Sequence, residues 1–256
     1  MAKALGWLFT PVHVVMFAAV LLVFHVGQVL ALRVGYAAHK RVVDSLNFCL
    51  LATLKIMGTR IEFVCEHELP ANKPLVVVAN HQSMYDIPLL GWTFRHHHPK
   101  YVAKIELSKG LPSISYNLRH GGSVLIDRSD PRGAMRAIQK FGKQVEEHRY
   151  AACLFPEGTR ARDGVMKEFN PAGLLALVRA TPSAAIIPVA IDGSWELMRY
   201  SVRPIPFGVR IRCTVLEPID QNAFPGKELA GIAEKRIRET LAAGGNSALT
   251  PGENSL

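Results

Sequence analysis

From residue 7 to residue 32 the chain carries no Lys, Arg, Asp or Glu. As a helix, this run of 26 residues would be about 39 Å long, against about 30 Å for the hydrocarbon core of a bilayer. Few soluble folds bury such a helix on every side, so the run predicts a membrane-associated N-terminal segment. It is too long for the apolar part of a cleavable signal and lacks a clear small-residue cleavage site. His13, His25 and Gln28 interrupt its apolar character, which leaves a spanning and a shallow arrangement both open. Arg33, His39, Lys40 and Arg41 follow the run, whereas only Lys3 and the terminal amine precede it. By the positive-inside rule the rest of the chain is expected on the cytoplasmic side of the membrane, the inner membrane if the cell is bacterial. A second segment, residues 42–57, spaces Val42, Val43, Leu46, Leu50, Leu54 and Met57 as a helix, lying either in the membrane interface or in the core.

Beyond it, short β-branched runs alternate with helical stretches. Residues 61–65, 75–79, 123–126, 151–155 and 185–190 read as strands, and 209–216 alternates like a late edge strand. Residues 85–94, 132–147, 171–180 and 227–241 read as helices. The pattern predicts an α/β fold, a mixed sheet flanked by helices, preceded by the hydrophobic helical segment. The expected division is 1–58 for the membrane-associated helices, 59–243 for the main domain and 244–256 for a small, polar, flexible tail.

The formal net charge of +9 suits an anionic partner: nucleic acid, an anionic membrane surface or a phosphorylated substrate. No aromatic-basic interleaving or zinc-finger spacing accompanies the charge, and a nucleic-acid binder has no use for the apolar run. Cys49, Cys65, Cys153 and Cys213 form no C-x-x-C pair and read as reduced thiols, the last three buried in strand-like runs. Arg95-His96-His97-His98-Pro99 reads as an exposed loop rather than a metal site, because adjacent side chains diverge and acidic partners are missing. Neither a metal nor a cofactor is expected.

Two motifs follow directly on buried strands, where open α/β sheets place ligands. In Asn80-His81-Gln82-Ser83-Met84-Tyr85-Asp86, the His and Asp lie about 140° apart on a regular helix and would not share a face. They meet if His81 lies in the turn before the helix and Asp86 in its first turn. Asp86 then fixes the imidazole tautomer, and His81 is free to take a proton from a hydroxyl. The bland alternative is a helix start capped by Asn80 or Ser83, with His81 incidental. In Phe155-Pro156-Glu157-Gly158-Thr159-Arg160, Gly158 permits close backbone approach and Arg160 offers a planar fork suited to phosphate. A polar turn with a surface Arg is the alternative there.

Together, in this order and about seventy residues apart, the two motifs resemble the glycerolipid acyltransferases, most of all the 1-acyl-sn-glycerol-3-phosphate (lysophosphatidic acid) acyltransferases. Residues 101–107 with Pro112 and 122–128 are similar to that family's acceptor-binding block, and Ile186-Ile187-Pro188-Val189-Ala190 to its last, proline-containing block. The resemblance runs from about residue 60 to 220. It implies His81 as general base with Asp86 as its partner. Lys104, Arg128 and Arg160 would hold the acceptor phosphate, while Glu157 and Gly158 would shape the acceptor pocket, with Thr159 also among the substrate-binding residues. It gives Pro188 a place on the donor side or in structural support. The implied partners are a lysophospholipid acceptor, acyl-CoA or acyl-carrier protein as co-substrate, and anionic membrane lipid.

One departure concerns the acceptor. Family members often carry a basic residue between a Phe and a Gly beyond the second motif, whereas this chain reads Phe169-Asn170-Pro171-Ala172-Gly173. Another lysolipid, such as a lyso-ornithine lipid, therefore stays open as acceptor, and a non-catalytic module for anionic membranes is the reading outside the enzymes. No G-x-S-x-G elbow is present, which favours direct attack over an acyl-enzyme, with oxyanion donors expected among the backbone N–H groups of the His81 turn.

Overall fold

A computed structural model of the chain describes residues 2–65 and 67–247. Two long helices come first: α1 (Ala2–Val34) and, after Gly35, α2 (Tyr36–Thr53), which runs on into a short 3-10 turn, Leu54–Met57. They pack on one another as a hairpin. The expected helix of residues 42–57 thus begins six residues earlier. Its inner face, Leu46, Leu50 and Leu51, is buried.

The strands are β1 (Arg60–Cys65), β2 (Leu75–Ala79), β3 (Lys100–Lys104), β4 (Val124–Ile126), β5 (Ala151–Leu154), β6 (Ala185–Asp192), β7 (Arg210–Val215) and β8 (Ile219–Asp220). They form one mixed sheet in the order β1-β7-β6-β2-β5-β3-β4, with β8 beside β6. The run from β6 to β4 is parallel, while β7 is antiparallel to β6 and parallel to β1. Central parallel strands are covered on both faces, so β2 and β5 read as unbroken apolar runs. Two expectations change. β7 lies inside the sheet between β1 and β6, not at an edge; its alternation reflects one solvated face, not a free edge. Cys65, at the end of edge strand β1, is exposed rather than buried.

Successive side chains of β2 enter different cores. Leu75, Val77 and Ala79 join the cluster beneath the N-terminal helices and α3 (Asp86–Thr93), together with Leu51, Leu54, Met57 and Leu89. Val76 and Val78 join the opposite cluster, under α5 (Pro131–His148), α6 (Pro171–Ala180) and α7 (Gly226–Ser247). A small helix, α4 (Ile114–His120), leans on α1. The helix α7 runs four residues into the stretch expected to be the tail, of which the remainder lies outside the described residues.

Both α5 and α6 begin with a capping residue followed by Pro: Asp130 accepts from Gly133 N–H, and Asn170 accepts from Ala172 N–H. The Asn170-Pro171 pair that breaks the family pattern is therefore a helix start. Pro188 sits in β6 between the residues paired with β8 and those paired with β7, where a missing N–H costs the ladder nothing. It is buried in the centre of the sheet, which makes it structural.

The α1 helix is inside out. Thr10, His13 and Gln28 are buried, whereas Trp7, Leu8, Val15 and Val23 are more than half exposed. It is long and apolar enough to cross a membrane, with a mean hydropathy of 2.4 over its best window. Thr10 Oγ1 accepts from Ile205 N–H, His13 bonds Tyr85 and the Thr53 carbonyl, and Gln28 reaches Ser113. These contacts fasten the helix along most of its length, with apolar side chains facing out, as suits a helix lying in lipid.

Candidate active site

Ala79 ends β2 and α3 starts at Asp86, so residues 80–85 form the connecting turn at the carboxyl end of a central strand. Asn80 does not cap α3. Its side chain bonds both backbone groups of Ile191 in the neighbouring strand and locks the turn to β6. His81 Nδ1 lies 2.7 Å from Asp86 Oδ2, which settles the pairing that helical spacing alone disfavoured. The carboxylate also accepts from the N–H groups of Gln82 and Ser83 and from the hydroxyls of Ser83 and Ser194. With Nδ1 engaged, Nε2 is the nitrogen left for chemistry, and the ring stacks on Phe155 at 4.1 Å between centroids.

The second motif is bonded to the first. Glu157 Oε1 accepts from His81 N–H at 2.6 Å, and Ala161 N–H donates to the His81 carbonyl at 2.7 Å. Glu157 Oε2 accepts from Lys167 N–H, so both oxygens are held by backbone. Burial raises the Glu157 carboxyl above its usual pKa, and these N–H bonds pull the other way. Glu157 thereby braces the turn that carries His81. The N–H groups of His81, Gln82 and Ser83 all serve carboxylates, which takes these three out of the expected oxyanion donors of that turn.

A cavity of about 1090 Å³ opens over His81. Phe17 and Leu21 of α1, Leu46 and Leu50 of α2, and Met84 give it apolar walls. Lys104, Gly158, Thr159 and Arg160 line it, together with Arg162 and Lys167. Arg160 is half-buried; desolvation lowers its pKa, opposed by the charge of Asp86. Arg128 is bound to the Gly158 carbonyl and does not line the cavity. It stabilises the left-handed Gly158, at φ 71°, from outside.

Sequence reasoning missed Lys167 and Ser194. The Lys167 ammonium donates to Thr159 Oγ1 at 2.9 Å and to the Arg160 carbonyl at 3.2 Å, beside the phosphate-type cations. It stands two residues before Phe169, not after it, and returns a positive charge to the loop. Ser194 follows β6 in Asp192-Gly193-Ser194, a small polar group at the carboxyl end of a strand, which was the available signal. Gly193 has φ 77°, and a Cβ there would sit 2.1 Å from the Arg210 carbonyl oxygen. Gly193→Ala is expected to cost about 3 kcal/mol in denaturant unfolding and to lower turnover by displacing Ser194 from Asp86. The His cluster at 96–98 is not a plain exposed loop: His98 stacks between Tyr36 and Tyr150.

A sequence profile described as Acyltransferase matches residues 60–192, just over half of the chain and both motifs within it. The chain belongs to the acyltransferase family. Among curated relatives, the acyltransferase is 29% identical over 198 residues to the 1-acyl-sn-glycerol-3-phosphate acyltransferase of Saccharomyces cerevisiae, covering 75% of this chain and 62% of that one. It is 27% identical over 198 residues to the alpha form of Ovis aries, covering 77% and 66% respectively. The chain thus spans just under two thirds of the length of these relatives. The crystal structure of the 1-acyl-sn-glycerophosphate (LPA) acyltransferase PlsC from Thermotoga maritima superposes with a TM-score of 0.79 at 20% identity. The match covers 99% of this acyltransferase and 100% of that chain, so the fold is shared from the N-terminal helices onward.

Proposed function

We propose that this acyltransferase moves a fatty acyl group from acyl-CoA or acyl-carrier protein to the sn-2 hydroxyl of 1-acyl-sn-glycerol-3-phosphate, giving phosphatidic acid. The observation that carries the reading is His81, held by Asp86 and facing a cavity with apolar walls and a cationic rim. Lys104, Arg160 and Lys167 on that rim suit a phosphate dianion, and charge-assisted contacts there orient the acceptor hydroxyl toward His81. His81 Nε2 takes the hydroxyl proton as the oxygen attacks the thioester carbonyl. The tetrahedral intermediate collapses, expelling the thiolate, which recovers the proton from the imidazolium. Asp86 stabilises the imidazolium throughout. Since the N–H groups of His81, Gln82 and Ser83 are bound to carboxylates, oxyanion stabilisation falls to those of Met84, Thr159 or Arg160. The donor thioester is already activated, and the reaction as read draws on no further cofactor.

The outward apolar face of α1 seats the cavity at the membrane, where acceptor and product reside. The basic residues after α1 favour the cytoplasmic leaflet for the domain, the side that is anionic and supplied with thioester donors.

The test is acceptor-dependent thiol release by detergent-solubilised protein, compared across lysophosphatidic acid and neutral or zwitterionic lysolipids. Release with lysophosphatidic acid is expected to dominate; an equal rate with a lyso-ornithine lipid would move the acceptor assignment to that class. No release with any lysolipid, from either donor, would leave the membrane-binding module. Lys167→Ala and Arg160→Ala are each expected to raise the lysophosphatidic acid KM about tenfold with little change in kcat. Lys167→Arg should restore most of that loss. Unchanged KM values in both Ala variants would remove the phosphate role.

A further inference from the structure

The cavity that opens over His81 also reaches Lys100 and His39, and neither is satisfied there. Lys100 is 5% exposed, and its ammonium lies over the rings of Tyr36 and Tyr150 at 4.9 and 5.1 Å. Among the described residues no oxygen accepts a hydrogen bond from it. His39 is 1% exposed, and its Nε2 has no hydrogen-bond partner. The nearby carboxylate, Asp44, is engaged by Lys40, which also binds the Arg95 carbonyl. Burial lowers the Lys100 amine to about 8, the mark of a charge without adequate solvation.

Strand register places Lys100 deep, and His39 of α2 lies close enough to feel its charge. Lys100 is level with Ala152 of β5, and Ala152 with Val76 of β2. His81 lies five residues beyond Val76, which is about 16 Å along the strand direction. Lys100 also lies two strands to the side, about 10 Å, so a chain threaded from the thioester carbonyl at His81 meets Lys100 and His39 after roughly twelve to sixteen carbons. A methyl end arriving there strips water from an ammonium and an imidazole and returns no hydrogen bond, which is unfavourable. An oxygen at that depth accepts from Lys100 and pairs with His39.

Resting on the function proposed above, we infer that the inner end of the cavity is a binding site for an oxygen function on the donor chain, so that the preferred acyl group is hydroxylated near its methyl end. The structure supplies two buried polar groups, on α2 and β3, at an end of the cavity that also carries the Lys40–Asp44 pair and His98, and this ligand satisfies the two that lack a hydrogen-bond partner.

The experiment compares plain and ω-hydroxylated acyl thioesters of about twelve to sixteen carbons, as CoA and as acyl-carrier-protein conjugates, with lysophosphatidic acid as acceptor. The hydroxylated donor is expected to show a kcat/KM at least fivefold higher, and the ratio should fall to one or below in Lys100→Met and in His39→Phe. A parallel measurement reads the rise in thermal midpoint of the solubilised protein with free ω-hydroxydodecanoic acid against dodecanoic acid, and the same ordering is expected. Wild-type protein that prefers the plain chain in both measurements overturns the inference, as does a preference that survives both substitutions. Turnover of plain donors with lysophosphatidic acid reports separately on the proposed reaction. Its failure, with the hydroxy acid still binding better, would sink the reaction and keep the site.

Discussion

His81→Ala is expected to lower acceptor-dependent thiol release by about 10³–10⁴-fold, in the upper part of the usual contribution of a positioned general base. The fold should survive the change. The His81 side chain is partly exposed at the cavity, and its backbone N–H bond to Glu157 is available to alanine as well. Thermal midpoint and liposome binding should therefore match wild type while turnover is lost. Activity within tenfold of wild type would exclude His81 as the base.

Asp86→Asn should fail in a different way. The carboxylate is fully buried and accepts from five donors: His81 Nδ1, the N–H groups of Gln82 and Ser83, and the hydroxyls of Ser83 and Ser194. An amide nitrogen at the Oδ2 position would point at the donors His81 Nδ1, Gln82 N–H and Ser83 N–H. Flipped, it faces the Ser83 and Ser194 hydroxyls, which must turn from donating to accepting and lose their present acceptor. The expected result is a loss of about 10³–10⁴ in kcat together with about 3 kcal/mol of stability, because a buried network is left partly unsatisfied. Urea unfolding beside the turnover assay separates the two variants: both lose activity, but only Asp86→Asn shifts its midpoint. An unshifted midpoint would show that the carboxylate orients His81 without holding the turn together.

Much of the framework is legible in residue patterns because burial on two sides leaves a plain signature. The apolar runs of β2, β5 and β6 and the cap-Pro start of α6 appear in the sequence nearly to the residue. β3 is less visible, since Lys100 and Lys104 bracket three residues that read as a motif block rather than as a strand. The place of β7 inside the sheet is a property of topology, and no local alternation encodes it. The dyad itself was legible through its place after β2 and through the family resemblance. Its surroundings were not. That Glu157 would face the backbone of His81, while Asp86 takes the N–H groups of Gln82 and Ser83, depends on how two loops 76 positions apart fold against each other. Lys167 was hidden for the same reason: its charge reaches the rim from a sequence position that the family pattern does not mark.

Phe17 and Leu21 form part of the cavity wall, and His13 is bonded to Tyr85, the residue next to Asp86. The first helix is therefore no interchangeable tether in the sense of a modular fusion protein. A chain cut down to its α/β portion would lose a wall of its own substrate cavity along with the anchor. Engineering a freely soluble version means repainting the outward residues, such as Trp7, Leu8, Val15 and Val23, with polar ones while keeping the helix and its inward face. Grafting the helix of another protein in its place would have to reproduce Thr10, His13, Phe17, Leu21 and Gln28 before it could be expected to support catalysis.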